Sequence, residues 1–297
     1  MKLRVALVPL TLLGITLATF LLVHVAPGSP ESVRAGAGRG VSAESLAAFR
    51  SAYELDRPLG ARYAAWLWRS ARLDFGESFT DGRPVRAKIA EALPATLGLA
   101  LLATLLAYGA AVPLGSLLAA RDGRRVVRAL SGALYAAYAL PSAAVAMLLL
   151  SAGAPYGGRG AIACAAACLA LATSVRLARH QRSALLGALR ADYALTARAL
   201  GAGEWRVVWR HAGKNALLPM VTLLGAELPA LLSGSVIVEQ VFGLRGLGTL
   251  GFDAVLARDY PMLLGLTTVG ALVTLGGVLA ADAAYGALDP RLRGRVA

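Results

Sequence analysis

Lysine, histidine and cysteine are scarce in this 297-residue chain, and their scarcity removes most enzyme classes. There are three lysines (Lys2, Lys88 and Lys214), and none follows a glycine-rich phosphate loop. No GxxxxGK[ST] is present; Gly213-Lys214-Asn215 lacks both the earlier glycine and the hydroxyl that such a loop needs. His24, His180 and His211 are scattered, and neither HExxH nor GxSxG occurs. The two cysteines, Cys164 and Cys168, lie four apart on one apolar segment with no His, Asp or Glu beside them. That spacing puts them on one helix face, as two metal ligands or as small residues packed against a neighbouring helix. The chain therefore shows no catalytic residues, no metal site and no cofactor, and no means of hydrolysing ATP.

Apolar residues dominate instead, at 57% of the chain with a mean hydropathy of +0.62. A soluble domain carries about 45–50% even with glycine included, so the composition is that of an integral membrane protein. Val5–Val25 is apolar except for His24, and follows Lys2 and Arg4. It exceeds the apolar core of a signal peptide and suits a retained first span. Five more apolar segments follow, Ala95–Ala120, Ala129–Ala152, Ala161–Val175, Ala216–Val238 and Pro261–Ala281. The expectation is an all-α, multi-pass protein of the cell (plasma or inner) membrane with six transmembrane helices. It divides into a first helix (1–26), an extracytoplasmic region (27–94), a five-helix core (95–285) containing a polar loop (176–215), and a tail (286–297).

A net charge of +13 in a soluble protein would suggest nucleic acid, but here the charges must be sorted by membrane side. If both termini are cytoplasmic, the inner segments hold seventeen basic residues and the short outer loops hold three, Arg159, Arg245 and Arg258. The long 27–94 region does not vote, because segments of that length translocate whatever their charge. Both termini and the 176–215 loop are thus expected in the cytoplasm, with the lipid bilayer, not nucleic acid, as the surrounding partner. Within 27–94, Leu46–Leu55 (with Ser42 as a cap) and Tyr63–Leu73 read as short amphipathic helices. Trp66 and Trp68 suit a membrane interface, and Asp74–Ser78 and Asp81–Pro84 read as turns. The region is either a compact cap or a surface that touches substrate.

The polar stretch Arg190–Pro219 reads as two short helices around Gly201-Ala202-Gly203. Asp192 can cap the first, glycine suits a left-handed helix end, and Glu204 favours the start of the second. Trp205, Val208, Trp209 and Ala212 share one face, while Arg206, Arg210 and Lys214 share another. An interfacial hairpin among lipid phosphates would show the same pattern. Two ionisable residues belong to the expected spans, Glu227 in the fifth and Asp282 at the end of the sixth. Glu227, at mid-span, is a candidate for lining a pathway, and Asp282 for a structural pairing near the inner surface.

Several of these stretches together resemble one family, the inner-membrane permeases of ATP-binding cassette importers for dipeptides, oligopeptides and nickel. The resemblance is carried by Asp192-Tyr193, Thr196-Ala197-Arg198-Ala199, Gly201, Arg210-His211-Ala212 and Asn215 to Pro219, which match the family's cytoplasmic EAA loop. Val238-Glu239, Arg258-Asp259-Tyr260-Pro261, Phe75-Gly76-Glu77-Ser78 and Leu288-Asp289-Pro290-Arg291 fit as well. Two positions depart: Leu200 replaces the usual lysine before the loop glycine, and Val278 an asparagine; the outer loop near Gly153–Gly160 is short. The resemblance implies a type I importer fold whose loop couples to a separate ATPase. Asp192, Tyr193, Thr196, Ala197, Arg198, Ala199, Gly201, Arg210, His211, Asn215 and Pro219 would be its coupling residues, and Glu227, Glu239 and Asp282 pathway or structural residues. It implies as partners a second, homologous permease, one or two ATPases and an extracytoplasmic substrate-binding protein. The cargo implied is peptide, with nickel or a metal chelate as the alternative. Glu227 leaves open an ATP-independent channel or proton-coupled carrier, and the short outer loop a membrane assembly subunit.

Overall fold

A computed structural model describes residues 2–25 and 57–288, and all regular structure among them is helical. In chain order the helices are α1 (Lys2–Val25), α2 (Leu59–Ser70), α3 (Val85–Ala120), α4 (Arg125–Tyr138), α5 (Ser142–Ser151), α6 (Gly158–Leu189) and α7 (Asp192–Ala199). After a single turn at Glu204–Arg206 and a π-helical segment at Val207–Ala212 come α8 (Gly213–Phe242), α9 (Leu247–Leu256) and α10 (Tyr260–Leu288). Helices are what an apolar chain must form in lipid, because only they satisfy every backbone group within one segment.

Four described helices are long and apolar enough to cross a membrane: Leu7–Val25, α3, α6 and Tyr260–Ala281. The bent pair α4–α5 makes up to five. The expected single span Ala129–Ala152 is in fact this pair, turned by 88°. Pro141 explains the break: it has no N–H to donate and disfavours helical backbone in the residue before it. The expected Ala161–Val175 is the N-terminal half of the 32-residue α6, which continues through Arg176 to Leu189. Small alanine-rich segments alternate there with basic residues, so a count that stops at the first charge ends the helix too early. Helix α9 was not anticipated. The Leu46–Leu55 helix, its Ser42 cap, the tail from Asp289 and the Asp282 side chain lie outside the described residues.

The chain forms two compact units. Among the described residues, one comprises Lys2, Ala95–Leu244 and 276–288; the other comprises 3–25, 57–94 and Arg245–Leu275. In the first, α8 packs most extensively on α6, and α4 and α5 also lie on α6. Its core joins Leu99 and Ala103 of α3, Ala161, Ala165 and Cys168 of α6, and Val238 and Phe242 of α8. Small residues dominate because lipid supplies no hydrophobic drive between spans, and close backbone approach must supply the packing instead. Cys168 is buried in this core, and its Sγ lies 3.2 Å from the Ser142 carbonyl.

The second unit has an aromatic core of Phe20, Trp66 and Phe75 with Val85, Ile89, Met262 and Leu264. Trp66 is buried there, whereas Trp68 is exposed. The helical stripe explains the split, since Tyr63, Trp66, Leu67 and Ser70 fall on the inward face of α2. Asp259 ties the unit together: its Oδ1 accepts the Met262 N–H at 3.2 Å, capping α10. Its Oδ2 accepts the Ser78 hydroxyl and, at 3.2 Å, that of Thr80. Two family-like stretches far apart in sequence thus meet at one buried carboxylate.

Candidate functional site

The 176–219 stretch builds from the end of α6. Arg190 and Ala191 turn the chain, and Asp192 becomes the first residue of α7. The cap position is Ala191, with no side-chain hydrogen bond, so Asp192 contributes its charge inside the first turn and not as the cap. Thr196 Oγ1 donates back to the Asp192 carbonyl at 2.9 Å. At Gly201 the backbone is left-handed (φ +82°), and a side chain there would meet open space, so the constraint is conformational only.

Arg198 holds the break closed. Its Nε and Nη2 donate to the Glu204 carboxylate at 2.7 and 3.2 Å, and Nη1 donates to the Leu189 carbonyl at 3.0 Å. One guanidinium therefore joins the end of α6, α7 and the segment after the glycines. The Arg198 hydrogen bond, reinforced by its charge, holds Glu204 below the usual carboxylate range. A similar bond from Arg182, at 2.6 Å, holds Asp122 low in the turn after α3.

Beyond Arg206 the helix widens into the π segment Val207–Ala212. Gly213 fits this geometry, since a Cβ there would lie 2.8 Å from the Val208 carbonyl oxygen. The widened turn alters the face anticipated for an ordinary helix. Val207, Val208 and Ala212 are buried, while Trp205 (75% exposed) and Trp209 (38%) lie outside. Their rings sit 5.4 Å apart. The inward anchors are Ala194, Ala197 and Val207 in one cluster and Val208, Ala212, Ala216, Leu185 and Ala119 in another. Tyr193, Leu195 and Leu200, the last 83% exposed, join the tryptophans as outward apolar groups.

Among the sequence-named residues, Ala197 is buried, and Arg198 and His211 are half-buried. Asp192, Tyr193, Thr196, Ala199, Gly201, Arg210, Asn215 and Pro219 are exposed. The structure therefore brings them into one hairpin with an apolar underside and an outer face that mixes rings and cations.

Glu227 is buried and forms an ion pair with Arg176. Arg176 was missed because the span was ended at Val175; continuing the helix would have found it. It also lines a cavity of about 430 Å³ with Tyr138, Arg179, His180 and Ser183. Glu239, likewise buried, accepts hydrogen bonds from Thr96 and Ser235, both at 2.9 Å. Nothing in the sequence paired these residues, because 143 positions separate Thr96 from Glu239.

Comparison with known proteins places these features in context. Residues 111–294 match the family model described as binding-protein-dependent transport system inner membrane component. The chain is 33% identical to the oligopeptide transport system permease protein AppB of Bacillus subtilis, over 95% of both chains. It is 36% identical to a putative peptide transport system permease protein of Brucella abortus, covering 98% of this chain and 97% of that one. With the dipeptide transport system permease protein DppB of Escherichia coli the identity is 31%, over 98% and 97%. A solved structure of the MetNI methionine ABC transporter in inward-facing conformations aligns with a TM-score of 0.59 at 20% identity, covering 68% of this chain and 96% of that chain. That likeness is one of fold.

Proposed function

Since the chain belongs to the family of binding-protein-dependent transport system inner membrane components, we propose that it forms half of the translocation pathway of an importer for di- and oligopeptides. In this reading six helices span the membrane, with both termini and the 192–219 hairpin in the cytoplasm. A second permease completes the pathway, one or two ATPases dock on the hairpin, and an extracytoplasmic binding protein delivers cargo. The relatives' names support peptide as that cargo, and the charge asymmetry of the loops supports the orientation.

The hairpin's two-sided character carries the proposal. Its underside is locked by buried alanines and valines and by the Arg198 clip, while Leu200, Trp205 and Trp209 face outward. Tryptophan is the residue type most enriched among energetic anchors at interfaces. A rigid element continuous with α8 can pass the displacement of a closing ATPase into the bundle. Access then alternates as a two-state equilibrium biased by nucleotide.

The test is copurification with the cognate ATPase and ATP-dependent uptake of a labelled dipeptide into reconstituted vesicles, with labelled nickel as the alternative cargo. Trp205→Ala should weaken ATPase association by about thirtyfold, the loss of one ~2 kcal/mol anchor. Unchanged association and uptake in a Trp205→Ala/Leu200→Glu double variant would overturn the docking assignment.

A further inference from the structure

A cavity of about 730 Å³ opens in the second unit, lined by the last turns of α1, by α2, by the turn segment after it and by the starts of α3 and α10. That volume lies within the range of ligand pockets. Phe20, Trp66, Phe79 and Tyr260 supply aromatic walls, and Arg62, Arg69 and Arg86 supply cations. Among the described residues, none of these three guanidinium groups has an ion pair or a side-chain hydrogen bond. Arg62 is half-buried, and burial works against its charge with only the Tyr260 phenol nearby to offset it.

A second observation points the same way. Trp66 is 7% exposed, and among the described residues its indole N–H has no acceptor. Arginine and tryptophan side chains can only donate, so the lining presents donors that call for an acceptor-rich occupant. Two carboxylates, Asp74 and Glu77, share the lining. Asp74 Oδ1 is engaged by the Gly76 N–H at 3.1 Å, and three arginines still outnumber the two acids.

Location selects among anions. His24, in the last turn of α1, lines the cavity, and Leu21, Leu22 and Val25 around it are exposed at 46%, 70% and 80%. The cavity therefore opens where an apolar span ends. A free phosphate or a peptide carboxylate would satisfy the arginines, but neither has a use for the adjoining apolar surface. We propose that this cavity seats the phosphodiester headgroup of an anionic phospholipid, bound by Arg62 and Arg69, with its acyl chains along the exposed end of α1. Arginine suits the role because its planar fork matches phosphate oxygens.

The full-length chain, purified in mild detergent from membranes containing phosphatidylglycerol, should retain that lipid when lipids are extracted and quantified by mass spectrometry. Arg62→Gln should retain about tenfold less, the loss expected for one charge-assisted hydrogen bond. Arg62→Lys should keep most of it, which separates loss of charge from loss of fold. Arg72→Gln, whose guanidinium lies 4.0 Å from the Trp68 ring and outside the cavity lining, should match the wild type. Equal retention by the wild type and an Arg62→Gln/Arg69→Gln variant overturns the proposal, as does equal retention of phosphatidylcholine and phosphatidylglycerol from mixed vesicles. Displacement of the lipid by excess inorganic phosphate or by a dipeptide would assign the site to those ligands instead.

Discussion

Glu227 and Arg176 show how much a single residue's setting decides. Glu227 is 6% exposed at its side chain and Arg176 is 42% exposed, so the two partners are not equivalent. Removing Arg176 strands a buried carboxylate, whereas Glu227→Gln leaves a guanidinium that still reaches open space. Arg176→Ala should therefore cost about 3–5 kcal/mol, Glu227→Gln less, and the double variant less than the sum, as a double-mutant cycle of unfolding would measure. A carboxylate held in an ion pair is a poor proton carrier, so Glu227→Gln should leave ATP-dependent uptake running. Loss of uptake with assembly intact would favour the proton-coupled reading. Glu204 makes a second prediction. Its folded-state pKa is lowered by Arg198, so the clip contributes stability above the ordinary carboxylate range and loses it as pH falls through the lowered value. Hydrogen exchange of the 199–207 amides should accelerate in acid beyond the intrinsic pH trend, and Glu204→Gln should exchange quickly at neutral pH and lose that extra acid dependence.

At the scale of elements, the long apolar helices were legible in sequence because twenty apolar residues admit few other structures. Their ends were not. Val175 looked like a boundary because Arg176 follows it, yet the arginine has a buried partner on α8 and the helix continues. Pro141 was visible, but composition alone made 129–152 one span where the backbone makes two helices. The hairpin's glycine break could be read locally, since a left-handed turn has a residue-level signature. Its buried face could not, because the π segment shifts the register and no side-chain pattern announces that. Gly201→Ala should cost about 1–2 kcal/mol from the backbone alone, because φ is +82° and the added methyl meets nothing. Thermal unfolding of the purified chain reads this directly, and Gly201→Asn, which tolerates the left-handed region, should cost less.

For the whole molecule, the orientation proposed from charge can be tested through exposed positions. In a background with Cys164 and Cys168 replaced by alanine, a cysteine at Leu200 should react with an impermeant maleimide only in inside-out vesicles. One at Leu73, 61% exposed, should react only in right-side-out vesicles. The reverse pattern would invert every side assignment made from the basic loops. Long-range pairings such as Ser78 with Asp259 and Thr96 with Glu239 escaped the sequence, because no periodicity encodes which distant segments meet. The π segment has a consequence for how the chain tolerates changes in length. A π turn holds one residue more than an α turn, so Val207–Ala212 carries a spare that the helix can give up by tightening. Deleting Arg210 should leave the bundle folded and merely swing the tryptophans around the axis. Deleting Leu217 inside α8 would rotate every later contact by about a hundred degrees and should abolish folding. If those outcomes hold, the joint is a length buffer, letting the hairpin gain or lose a residue while the helical bundle keeps its register.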